Sequence, residues 1–144
     1  MPAPASMRAR FLQDGAAGAS PQVMLLRLFD RLLADLARGA AGLRAGEREA
    51  SHKALMNAQS ILNALTVALD GSDWEAADNL RALYAFLLTE LAQANVKQDA
   101  ERVDACFAVV EPLRDAWNQA ASSLVLPHTE TSVQRSLPMG GMTA

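Results

Sequence analysis

The sequence predicts an all-α fold, an antiparallel up-down-up-down four-helix bundle with flexible N- and C-terminal segments, and three observations carry that expectation. Hydrophobic residues make up 51% of the 144-residue chain and aromatics only 5%, so the core must come mostly from Leu, Ala and Val. Ala and Leu favour helices, while the β-branched and aromatic strand formers are scarce. Apolar residues recur at three- and four-residue spacing in four successive segments, the period of a helix with one buried face. Short connections between those segments make consecutive helices antiparallel neighbours. A chain of this length fits one domain with a substantial core.

The ends differ in character from the middle. Residues 1–18 mix Pro2, Pro4, Gly15 and Gly18 with Ala and Ser and give little reason for a stable helix, although Met7, Phe11 and Leu12 could dock on something apolar. The bundle is expected over 19–124. Residues 125–144, with Pro127, Pro138, Gly140, Gly141 and several Thr and Ser, read as a disordered tail in which Met139 and Met142 are tail residues.

The first helix opens at Ser20-Pro21, where Ser caps free N–H groups and Pro occupies the first helical position. Its stripe is Leu25, Leu28, Phe29, Leu32 and Leu36, opposed by Arg27, Arg31 and Arg38. Gly39, Gly42 and Gly46 are expected to weaken and end it, with the stop between Gly39 and Gly46. The second helix runs from Arg48 to Leu69 on the seam Leu55, Ala58, Leu62, Leu65 and Leu69, widened by Ile61 and Ala64, and Gly71 supplies a left-handed stop. Ser72 and Glu75 have capping-box spacing, so the third helix starts within two or three residues. Its apolar positions, Leu80, Leu83, Tyr84, Leu87, Leu88 and Leu91, form a wider stripe than one seam requires. The fourth opens at Asp99, a potential cap, and carries Val103, Cys106, Val110, Leu113, Trp117, Ala120 and Leu124. Pro112 removes one backbone hydrogen bond, so a kink is expected near Ala108 to Pro112.

Composition also narrows function. A net charge of −3 with few clustered cations offers no basic stripe for phosphates, so nucleic acid is not expected as a partner. No apolar run reaches the roughly 18–20 residues of a membrane span, and no apolar stretch follows Arg8 and Arg10 to make a secretion signal. A soluble, cytoplasmic chain is expected. Catalytic candidates are few. A di-iron bundle needs Glu-x-x-His motifs on two helices, yet the two histidines are His52 and His128, the latter in the tail. Cys106 on the seam reads as a small buried hydrophobe rather than a nucleophile. Strands that would precede a phosphate loop are not expected, and no basic recognition helix appears. No enzyme, metal or cofactor is expected.

What remains is a surface. Ile61, Leu62, Leu65, Leu83, Tyr84, Leu87, Leu88 and Leu91 exceed what one inward face of each helix accommodates. Two readings stand side by side: an outer apolar strip that meets a second copy or a partner helix, or thin Leu/Ala helices that bury more of themselves than usual.

The order Ser20-Pro21-Gln22, Leu28-Phe29-Asp30, the helix from His52-Lys53 to Leu65, Leu80-x-x-Leu83-Tyr84, Leu91-x-x-Ala94-Asn95 with Asp99, and Leu113-Arg114-Asp115-x-Trp117 resembles the bacterial flagellar secretion chaperone family, FliS, over about residues 19–120. The resemblance implies a cytoplasmic four-helix chaperone that binds the disordered C-terminal segment of flagellin, prevents premature polymerisation and delivers it for export. The flagellar export apparatus is a further candidate partner. The alternative is a structural bundle that homodimerises through its outer strip, so a monomer or a weak homodimer is expected.

The implied partner-binding residues are Ile61, Leu62, Leu65, Leu83, Tyr84, Leu87, Leu88, Leu91 and Asn95. Met7, Phe11 and Leu12 are candidates for a displaceable cap over the groove. Asn95 has two readings, a hydrogen bond to client backbone or a cap on the third helix, of which the cap is favoured. Tyr84 offers its hydroxyl to the client or sits in the core, Trp117 belongs to the core, and Asp30 is expected in an interhelical salt bridge or a cap. Phe29 stands where the family commonly has Tyr, Arg31 where a small residue is usual, and Phe11 near an expected Tyr; Pro112 is also unusual there.

Overall fold

The computed structural model describes residues 20–125, with side chains described as far as residue 120. Four helices follow one another, α1 (Pro21–Ala45), α2 (Arg48–Val67), α3 (Glu75–Lys97) and α4 (Ala100–Val125). Each packs on its neighbours in sequence and α1 closes the ring against α4, which is the up-down-up-down bundle. The core runs through the middle of all four: Phe29, Leu32 and Leu36 of α1, Leu55, Leu62 and Leu65 of α2, Leu87 and Leu91 of α3, and Val103 and Val110 of α4 are essentially sealed from solvent.

The helix ends follow local chemistry, in part as expected. The Ser20 hydroxyl accepts the Val23 N–H at 3.2 Å, with Pro21 in the first helical position. Asp99 caps α4, its Oδ1 accepting the Arg102 N–H at 3.1 Å. Helix α1 stops inside the expected window, between Gly39 and Gly46, but two of its glycines do not end it. The helix runs straight through Gly39 and Gly42 and stops only at Gly46, whose φ of 73° is left-handed and whose turn is closed by the Glu47 N–H on the Gly42 carbonyl.

Gly39 and Gly42 serve interhelical approach instead of termination. A Cβ at Gly42 would lie 3.0 Å from the Ser51 Cβ and 3.1 Å from its backbone N, and one at Gly39 would lie 2.6 Å from the Leu55 Cδ2. Gly42→Val is therefore expected to destabilise the bundle by about 1–3 kcal/mol through overpacking. Thermal unfolding measures it, and an unchanged midpoint would contradict the close approach of α1 and α2.

In the α2–α3 connection Gly71 is left-handed and α3 starts at Glu75, both as expected, while the end of α2 and the cap of α3 differ. Helix α2 ends at Val67, short of Leu69, and Gly71 takes its left-handed φ of 81° within the following turns. Ser72 does not cap α3: Trp74 holds that position without a side-chain hydrogen bond. Arg81 fastens this loop instead, donating to the Leu69 and Ser72 carbonyls at 2.8 and 3.1 Å. Helix α4 continues through Pro112. Ala108 and Pro112 are both exposed, so the carbonyl that Pro112 cannot serve lies where water can reach it.

Candidate partner-binding surface

Most of the residues expected on an outer strip are in the core. Leu62, Leu65, Tyr84, Leu87 and Leu91 are at most 2% exposed and Ile61 is buried at 9%. The reason is closure of the ring: Leu- and Ala-rich helices are thin, so both neighbours cover each of them deeply. Leu83, Leu88 and Asn95 keep partial exposure.

Asn95 is not a helix cap. It lies within α3, whose C-terminal cap is Gln98 with φ 54° and ψ 48°, and its side-chain amide donates to His52 Nδ1 of α2 at 2.8 Å. Asp30 forms the expected interhelical ion pair, with Arg114 of α4 at 2.8 Å. Trp117 sits at the rim of the core, only half-buried, with its ring stacked on Phe29 at 6.4 Å. The candidate cap residues Met7, Phe11 and Leu12 fall outside the described residues, as do Met139 and Met142.

Interhelical contacts fix which flank of each helix faces which neighbour. On α4, Arg102 pairs with Glu90 of α3 at 3.0 Å, while Asp104 and Arg114 pair with Arg44 and Asp30 of α1. At 100° per residue, Ala105, Val109, Pro112 and Ala116 lie on the outer flank toward α3. All four are exposed, Val109 at 36%. On α3, Glu90 marks the flank toward α4 and Asn95 the flank toward α2. Leu83 and Phe86 fall on the α4 side, and Phe86 is 53% exposed. Leu88 falls on the other, the flank toward α2.

By helical position these side chains share one outer apolar face where α3 and α4 adjoin, called the α3–α4 groove below, with Phe86 and Val109 as its largest open side chains. Among the described residues the large apolar side chains most open to solvent are Met56, Trp74, Phe86, Val96 and Val109. Three belong to α3 or its N-cap and none to α1, so the unpartnered apolar surface is concentrated around α3. Sequence reading missed Phe86 and Val109 because both sit off the seams. Their signal was there, an aromatic in an aromatic-poor chain one step outside the stripe Leu83, Tyr84, Leu87.

The groove's chemistry is that of contact. Burial pushes the Cys106 thiol up to about 11, with Glu90 adding to the rise and Arg102 opposing it, and burial pushes the Tyr84 phenol up to about 12. Both groups are neutral in the fold at ordinary pH. Each folded value exceeds the unfolded one, so the stability they contribute is present below about pH 9 and is lost as pH climbs toward 11–12. Accordingly, Cys106 is expected to resist alkylation by iodoacetamide at pH 8 until denaturant is added. Rapid labelling of the folded chain would contradict its burial. No helix among the described residues is long and apolar enough to cross a membrane, and none of their His, Cys, Asp and Glu side chains cluster to hold a metal ion.

Comparison with known proteins gives a consistent answer. A family model described as "Flagellar protein FliS" matches residues 4–124. The chain is similar to the flagellar secretion chaperone FliS of Escherichia coli (strain K12), 31% identical over 114 residues that span 78% of this chain and 84% of the relative. It is also similar to that of Salmonella typhimurium (strain LT2), 31% identical over 110 residues, 75% and 82% of the two chains. The chaperone FliS of Bacillus subtilis (strain 168) is 27% identical over 113 residues, covering 78% and 84%. Four antiparallel helices with apolar surface left open around α3, together with a match over most of the length, place this chain in the FliS family of flagellar secretion chaperones.

Proposed function

We propose that this chain is a cytoplasmic, non-enzymatic export chaperone that binds the disordered C-terminal segment of flagellin through the outer apolar surface of α3 and α4. In this reading it prevents premature polymerisation and supports secretion during flagellum assembly. The observation that carries it is the α3–α4 groove, in which Phe86 is 53% exposed and Val109 36% exposed beside Leu83, Ala105, Pro112 and Ala116. A disordered client that folds on binding can wrap such a surface, burying roughly 1,000–3,000 Å² while part of the interaction energy is lost to ordering. The groove needs no reactive group to do this.

A client segment that turned helical on binding would supply what the groove lacks. Apolar residues of the client at three- and four-residue spacing would seat on the small side chains of α4, and Phe86 would pack against them from α3. Glu101, exposed near the start of α4, would set orientation more than affinity.

The test is co-purification of the chain with the C-terminal segment of flagellin, followed by light scattering. A 1:1 complex is expected, and a chain that elutes unchanged beside free flagellin segment would overturn the reading.

A further inference from the structure

Pro112 opens one polar point in an otherwise apolar face. Resting on the reading of the α3–α4 groove as the client site, we infer that the Ala108 carbonyl, left without its helical donor by Pro112, accepts a hydrogen bond from an N–H of the client and so fixes where the client lies along α4.

The backbone sets up the acceptor. Helix α4 runs unbroken from Ala100 to Val125 with Pro112 inside it. Each helical carbonyl is served by the N–H four residues on, and proline has none, so ahead of the last turn the Ala108 carbonyl alone lacks a helical donor. Nearby side chains do not make up the loss. On the outer face Ala105 and Val109 are hydrocarbon, while Asp104, Glu111 and Asp115 end in carboxylates that only accept. The flanking cations, Arg102 and Arg114, are held by Glu90 of α3 and Asp30 of α1. A donor from outside the helix is all that is left.

Position gives this oxygen its use. A helical carbonyl points along the axis toward the residue four ahead, so that of Ala108 opens beside Val109 and Pro112, at the edge of the groove. Ala105, Ala108 and Pro112 are exposed and carry no long side chain to cover it. In the free chain water serves the carbonyl. A client laid over the groove displaces that water, and a carbonyl buried without a donor is unfavourable. A client that presents an N–H at this level replaces the water; a wholly apolar client, or the right client shifted by one helical turn, does not.

Apolar contact alone defines position poorly here, because Ala105, Val109, Pro112 and Ala116 offer similar surfaces turn after turn. The free carbonyl breaks that near-repetition by penalising the wrong placement. Two kinds of client N–H share the required chemistry: a side-chain amide, ammonium or guanidinium, and a backbone amide in the first turn of a client helix, which has no partner in its own helix.

Two replacements return the missing N–H at position 112. Pro112→Val keeps an apolar side chain of similar size in the groove, and Pro112→Ala does not. Calorimetry is expected to show affinity for the C-terminal flagellin segment lowered about tenfold in both. Their unfolding midpoints are expected to rise, because a helical hydrogen bond is regained. A proline with a purely structural role would move stability and leave affinity alone. In the parent chain, labelled with 13C and bound to the 15N-labelled segment, a through-hydrogen-bond coupling is expected between one client nitrogen and the Ala108 carbonyl carbon. A side-chain nitrogen or a backbone nitrogen there tells the two sources apart. This measurement needs no variant, so it decides even where a replacement fails to fold.

Unchanged affinity in Pro112→Val, beside weakened binding when Phe86 and Val109 are both replaced by aspartate, would overturn the inference and leave the groove as the client site. Weakening in Pro112→Ala alone would reduce Pro112 to an apolar contact and likewise overturn it. So would the absence of any coupling to the Ala108 carbonyl in a complex where the helical couplings of α4 are resolved. Unchanged affinity in every variant, the aspartate pair included, would remove the groove and the inference with it.

Discussion

Leu91→Ala is expected to destabilise the bundle by about 2–5 kcal/mol, the range for deleting a buried leucine side chain and leaving a cavity. Leu91 is 0% exposed and sits with Leu87, Leu62 and Val103 in the shared core. Chemical denaturation reads the effect as a lower midpoint with an unchanged slope. Since a domain of this size is stable by only about 5–15 kcal/mol, an aspartate at Leu91 or Leu87 is expected to abolish folding, because the carboxylate would be buried without a partner. Neither position can test partner binding separately from folding. A Leu91→Ala variant as stable as the parent would contradict the closed ring.

The second large effect is on binding and falls on residues whose loss the fold tolerates. Replacing both Phe86 and Val109 with aspartate is expected to weaken binding of the C-terminal flagellin segment by at least tenfold, roughly 1.4 kcal/mol or more. Two apolar anchors are removed and two charges are placed where the client must lie. Both side chains are exposed in the free chain, so the unfolding midpoint should stay close to the parent's. Isothermal titration calorimetry beside thermal unfolding separates the two effects. Unchanged affinity with unchanged stability would remove the α3–α4 groove from the binding surface.

Much of this architecture was legible because the determinants are local. The Ser20-Pro21 start, the Asp99 cap and the seams of all four helices depend on side chains and backbone within a few positions of each other. Asp30 was readable as an interhelical ion pair or a cap, and Arg114 of α4 decides for the ion pair. What escaped was set by neighbours distant in sequence. Gly39 and Gly42 look like helix breakers until Leu55 and Ser51 are found pressed against them. Asn95 looks like a cap until His52 of α2 appears within hydrogen-bond reach.

The candidate surface was harder to read for a related reason. Periodicity counts apolar residues but does not tell how far neighbouring helices cover them. The surplus on α2 and α3 was real, yet α1 and α4 close over Ile61, Leu62, Leu65, Tyr84, Leu87 and Leu91. Only the flanks remain open, and those flanks carry Phe86 and Val109, which no seam included. The width of the α3 stripe thus marked a helix that keeps exposed apolar flanks, through residues that mostly lie in the core.

The central claim is that the outer groove of α3 and α4 holds the client, and hydrogen exchange on the chain with and without the C-terminal flagellin segment tests it most directly. Added protection is expected along 82–90 of α3 and 104–117 of α4, with exchange on the outward face of α1 unchanged. Protection confined to α1 and α2, with α3 and α4 exchanging as in the free chain, would contradict it.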